Sequence, residues 1–120
     1  MMTTQVLEVK MRPVGGLTLL DLRGEIDGFA RQALEEGYAQ AENQPGKTIL
    51  LNFSEVDYIN STGIALIVGL LMQSRKHNRR LAAFGLSQHF EEIFNLTRLT
   101  DFIALYADEE SAVSAEKSAG

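Results

Sequence analysis

The six residues TILLNF at 48–53 constrain this chain more than any other feature. The run is too short for a helix, and its apolar residues are consecutive rather than alternating. A strand of that kind is buried on both faces, as strands are inside a parallel sheet covered by helices. Neighbouring parallel strands need crossover connections of about a dozen residues or more, and the flanking sequence supplies them. Upstream, Ala30, Ala33, Leu34, Gly37, Tyr38 and Ala41 recur on one helical face. Asp27 stands as the N-cap of that helix and Gln44-Pro45-Gly46 as its stop. Downstream, a helix is predicted from Ile64 to about His77, apolar almost all round for its first nine residues. Such a helix reads as central and buried.

The rest of the chain extends the alternation. Val6 to Met11 and Leu17 to Arg23 read as two strands of a hairpin turned by Pro13, Gly15 and Gly16, with Gly24 ending the second. Leu81 to Phe84 is a further interior strand stopped by Gly85. Ser87 caps a short helix, Gln88 to Phe94, closed by Asn95. Phe102 to Tyr106 is the last strand, and Asp108-Glu109-Glu110 opens a terminal helix with acids at the positive end of its dipole. The expected fold is α/β: a mixed, mostly parallel sheet with an N-terminal hairpin, flanked by about four helices. A chain of 120 residues has room for one domain. Its core is expected over about 6–113, and the tail from Ser114 is expected to fray.

Several function classes drop out on composition. The net charge of −5 argues against nucleic acid, whose binders draw affinity from phosphate neutralisation. The basic run RKHNRR at 75–80 falls at the end of the second helix, where cations suit the dipole, and has no aromatic interleaving to stack bases. It reads as a solvated face. There is no Cys, which removes disulfides and thiolate chemistry and fits a cytoplasmic protein. His77 and His89 lack metal-ligand spacing, so no metal is expected. No glycine-rich phosphate loop is present, so no nucleotide cofactor is expected either. The N-terminus lacks a leader's layout, and the longest apolar run falls far short of the roughly 20 residues of a membrane span. Ser61 is not in a Gly-x-Ser-x-Gly turn, which speaks against a hydrolase. A phospho-accepting receiver domain would need an Asp where this chain has Asn52-Phe53-Ser54.

Between the TILLNF strand and the second helix stands Asn60-Ser61-Thr62-Gly63. Either Asn60 or Ser61 can cap the helix, and Gly63 permits a close approach. A hydroxyl at a helix N-terminus is also where a phosphate would meet free N–H groups and the positive dipole end. Phosphorylation there adds about −1.5 to −2 charge without unfolding the domain, and so suits a binding switch.

Gly24-Glu25-Ile26-Asp27, the stretch from Ile49 to Gly63 and the strand ending at Gly85 stand in the order and spacing of one family. Together with the closing LTRLTDFIALYADEESAV, they resemble the STAS domains over about residues 6–115. The resemblance is to the anti-sigma factor antagonist type. It implies no enzymatic activity, and a partner that is an anti-sigma factor and serine kinase, whose capture frees a sigma factor. It implies phosphorylation of Ser61 (Thr62 as the lesser candidate), which ends the complex, and a metal-dependent phosphatase that reverses it. It places the partner surface on Asp27, Asn60, Ser61, Thr62, Gly63, Gly85 and Ser87. The family often has Asp before the phosphorylated Ser, where this chain has Asn60. Two other roles are compatible with such a domain: a constitutive subunit of a lipid-transporting membrane ATPase, and a scaffold in a stress-sensing assembly that self-associates, in the simplest case as a homodimer.

Overall fold

β1 (Glu8–Val14) and β2 (Leu17–Ile26) pair antiparallel around Gly15-Gly16 in a computed structural model that describes residues 6–119. Both turn glycines take positive φ, +56° and +83°, as the tightest hairpin turns require. Residues 1–5, which belong to the N-terminal leader reading, and Gly120 lie outside the described residues. Pro13, expected in the turn, pairs with Thr18 within β1. It is tolerated there because β1 is an edge strand.

β3 (Thr48–Ile59) lies parallel to β2, β4 (Arg80–Phe84) parallel to β3, and β5 (Ala104–Tyr106) parallel to β4. The sheet order is therefore the chain order. α1 (Arg31–Glu42), α2 (Ser61–Lys76) and α3 (Gln88–Leu96) make the three crossovers, and α4 (Glu109–Ala119) ends the chain. Alternation of side chains divides the strands between two cores. Leu20, Leu22, Ile49, Leu51, Leu81 and Ala83 face α1, α2 and α3. Leu19, Leu50, Ala82 and Phe84 face Ala112 of α4. Successive residues of TILLNF thus go to opposite covered faces, which accounts for its consecutive apolar positions.

Three expectations are corrected. β2 does not stop at Gly24 and β3 does not stop at Phe53. Register shifts at Asp21/Arg23 and Gly24/Glu25 let the two strands stay paired to Ile26 and Ile59. α2 is not buried all round: Leu66, Ile67, Leu70 and Leu71 face the sheet, whereas Ala65 and Gly69 are exposed and Met72 is 67% exposed. The last strand starts at Ala104 and not at Phe102, which follows the 3-10 turn Leu99–Asp101, half exposed, with the Arg75 guanidinium 5.0 Å from its ring centroid. Separately, α4 runs past Ser114 to Ala119. In it Glu116, buried, bonds Arg80 (2.6 Å) and Tyr106 Oη (2.5 Å).

Candidate functional site: the N-terminal end of α2

The parallel strands β2 and β3 end side by side, Ile26 opposite Ile59, so the segments that follow them meet. After β2, the Asp27 carboxylate accepts from Phe29 N–H (2.9 Å) and caps the 3-10 turn Gly28–Ala30 that leads into α1. Asp27 is thus a cap, but of this turn rather than of α1 itself.

After β3, Asn60 supplies the cap of α2. Its Oδ1 accepts from Gly63 N–H (2.9 Å), its carbonyl accepts from Ile64 N–H (2.9 Å), and its own N–H donates to the Ile26 carbonyl (3.3 Å). The choice between Asn60 and Ser61 as cap therefore falls to Asn60. Ser61 and Thr62 are exposed, and neither hydroxyl makes a hydrogen bond among the described residues. Gly63 is buried against β2. A Cβ there would stand 1.9 Å from the Ile26 carbonyl oxygen, so only glycine fits this approach. The two segments are close enough that a Cβ on Gly28 would meet Thr62 Cγ2 at 3.7 Å.

The structure brings together Asp27, Asn60, Ser61, Thr62 and Gly63. Gly85 sits apart from them: with φ +79° it packs on Ser54, six positions before Asn60 along β3, and its N–H donates to the Tyr106 carbonyl (3.3 Å). Ser87 caps α3 through Phe90 N–H (3.2 Å). Two residues beside the site carry no signal in the sequence pattern. Phe29, in the turn after Asp27, is 72% exposed, and Tyr58, near the end of β3, is 48% exposed. A Phe in a Gly-Phe-Ala turn has no periodic neighbours to mark its direction.

Ser54 opens a polar array across the other sheet face. Its Oγ donates to Asn52 Oδ1 (2.6 Å), Asn52 donates to Asp21 (2.7 Å), and Arg12 bridges Asp21 (2.7 Å) and Glu109 (2.6 Å). Burial works to raise the Asp21 carboxyl, but the bonds from Arg12 and Asn52 outweigh it and hold it below its ordinary value. The array ties β1, β2, β3 and α4 together. No cluster of three or more His, Asp or Glu side chains suited to a metal occurs among the described residues. Nor is any of their helices long and apolar enough to cross a membrane.

Sheet order, crossovers and the exposed helix end define a class: a mixed α/β domain with an exposed, Asn-capped helix end where its parallel strands end. The chain belongs to the STAS domain family, whose profile matches residues 8–112. Among similar proteins is an anti-sigma-B factor antagonist of Listeria monocytogenes, 28% identical over 99 residues that span 82% of this chain and 86% of that one. An anti-sigma factor antagonist from Mycobacterium paratuberculosis shares the fold at TM-score 0.76, with 20% identity over 91% of this chain and 92% of that one. The phosphorylated form of the Bacillus cell-fate determinant SpoIIAA does so at TM-score 0.67, with 20% identity over 89% and 97% of the two chains.

Proposed function

We propose that this protein is an anti-sigma factor antagonist that captures an anti-sigma factor with serine-kinase activity, releases a sigma factor, and is switched off by phosphorylation of Ser61. Its partners are then that kinase and a metal-dependent serine phosphatase, all in the cytoplasm. The observation that carries the reading is the free, exposed hydroxyl of Ser61 on a helix end that Asn60 already caps. A phosphate there adds about −1.5 to −2 charge beside the N–H groups of the first helical turn, which favour it. The fold is undisturbed, but any surface docked over Asp27 and the helix end meets new charge and bulk. The names of the curated relatives support the antagonist part of this reading.

The test is capture from host extract with Ser61→Ala and Ser61→Asp baits. Ser61→Ala is expected to retain an ATP-binding kinase that Ser61→Asp loses, and the purified kinase to label wild type but not Ser61→Ala with phosphate. Equal capture of the kinase by both baits would refute the switch. Retention by both of a transporter ATPase, or only of further copies of this chain, would refute the antagonist role.

A further inference from the structure

β2, β3, β4 and β5 all point the same way, so the molecule has two unlike ends. At the end where β2 and β3 finish, Glu25, Asp27 and Asp57 have no cationic partner among the described residues. The arginines beside them are already used, Arg23 with Glu55 (3.6 Å) and Arg31 with Glu35 (3.6 Å). Phe29 follows Asp27 in its turn and Tyr58 pairs with Glu25, and both rings are exposed.

At the other end, where β3 and β4 begin, the sign is reversed. Lys47, Arg75 and Lys76 have no carboxylate partner among the described residues, and the Arg79 guanidinium is held by backbone carbonyls. Arg80 and Arg98 are matched by Glu116 (2.6 Å) and Asp101 (2.8 Å), and Glu42 faces His77. Met72, one helical turn before Lys76, is exposed, and half-exposed Phe102 lies against the Arg75 guanidinium.

The helix dipole accounts for part of this segregation, because Arg75 and Lys76 close α2 at its negative end. It does not account for Glu25 and Asp57, which are strand residues, or for Lys47, which precedes a strand. Nor does it account for exposed apolar side chains beside both sets of charges. Along α2 the two ends lie about 22 Å apart, beyond the screening length of about 10 Å at 0.1 M salt, so they do not neutralise each other within one molecule.

We infer that the two ends are docking surfaces for one another, so that copies of this chain associate head to tail. Glu25, Asp27 and Asp57 of one copy meet Lys47, Arg75 and Lys76 of the next, which orients the pair. Phe29 and Tyr58 pack against Met72 and Phe102 of the next copy, residue types enriched in interface cores. Because two different surfaces meet, the contact is heterologous and extends into rings or chains instead of closing as a two-fold dimer. It does not require phosphorylation of Ser61. The Asp27 end is also where the proposed partner docks, so a copy seated there keeps that partner out.

The test uses the purified full chain alone, so its outcome is separate from that of the antagonist reading. In sedimentation velocity at concentrations up to about 1 mM, the mass of wild type should rise with concentration past that of a dimer. Association should weaken at least about tenfold between about 0.1 M and about 1 M salt, as the screening length falls to about 3 Å. Glu25→Lys with Asp57→Lys, and separately Lys47→Glu with Lys76→Glu, alter charges that hold nothing in the fold. Each of these proteins should be monomeric alone, and an equimolar mixture should associate again, because each supplies the charge that the other lacks. Phe29→Ser, an uncharged change, should weaken wild-type association about tenfold with circular dichroism unchanged. A wild type that stays monomeric, association indifferent to salt or to Phe29→Ser, or folded variants that stay monomeric when mixed would overturn the proposal. So would a dimer that each charge variant still forms alone, because the interface would then be a different, two-fold one.

Discussion

Replacing Gly63 with alanine tests how the helix end is placed. The added Cβ would lie 1.9 Å from the Ile26 oxygen, 2.7 Å from its carbonyl carbon and 3.0 Å from its Cγ2. A tolerable carbon–oxygen contact is about 3.3 Å, so α2 and the end of β2 must part by roughly 1.4 Å. The Ile26 carbonyl is backbone and cannot rotate aside. It also accepts the Asn60 N–H at 3.3 Å, a bond that does not survive such a separation. Overpacking of this kind costs about 1–3 kcal/mol and the lost bond about 1 kcal/mol. Alanine's better helix propensity returns up to about 1 kcal/mol. The net expectation is a loss of roughly 1–4 kcal/mol, or ~4–16 °C in Tm for a domain this size. Urea unfolding followed by circular dichroism should show a lower midpoint at unchanged m. Gly69→Ala is the control, because the same chemical change in open space should stabilise by up to about 1 kcal/mol. If Gly63→Ala unfolds within about 0.5 kcal/mol of wild type, the close approach of α2 to β2 is wrong, and with it the placement of Ser61.

Three further outcomes are expected. Asn60→Ala should cost about 0.5–2 kcal/mol as a lost cap, whereas Ser61→Ala, removing a hydroxyl with no hydrogen bond, should stay within about 0.5 kcal/mol; chemical denaturation of the pair reverses that order if Ser61 is the true cap. Glu116→Gln should destabilise at pH 7 by ~1–3 kcal/mol, less than for a wholly buried pair because the Arg80 side chain is 50% exposed. Burial raises Glu116, but the bonds from Arg80 and Tyr106 outweigh it and leave the folded pKa below the ordinary 4.5; its stabilisation is therefore complete above that value and lost as pH falls through the lower folded one, so the two melting curves should converge in acid. Arg79→Ala should cost ~1–3 kcal/mol in the same unfolding assay, because its guanidinium donates to the carbonyls of Glu42, Gln44 and Gly46.

Legibility in the sequence followed whether a residue's partners were local or periodic. TILLNF announced a two-faced strand because both of its faces are covered by apolar layers. The outer halves of β2 and β3 carried no such mark. Ser54, Glu55, Asp57 and Tyr58 are exposed, and the strand continues there only through pairing with β2 across shifted register. RKHNRR was half legible. Arg75 and Lys76 do lie in the last turn of α2, as the dipole argument expects. Arg79 instead closes the end of α1, and Arg80 reaches Glu116, 36 positions away. Glu116 itself sits in a stretch that reads as a polar tail, and its burial is made tolerable by that distant arginine together with Tyr106 Oη. The outward face of α2 reads as buried in the sequence because alanine, glycine and methionine look like core. Its exposure follows from the helix having one sheet to pack on and not two.

The site shows the same division at finer grain. Polar residues at a helix start were readable as a cap and a hydroxyl, but which residue did which depended on the Ile26 carbonyl, supplied by another strand. Once Asn60 donates to that carbonyl, its side chain stands over Gly63 N–H and the cap is complete without Ser61. This matters for any modification of Ser61. Were its hydroxyl the cap, a phosphate would disturb the bond holding the first turn, and the switch would draw on the stability of α2. With Asn60 as the cap, a phosphate takes no acceptor away from the backbone, and the neutral amide puts no second negative charge beside it. The phosphorylated and free states can then share one fold and differ only at the surface, as the proposed switching of one partner requires.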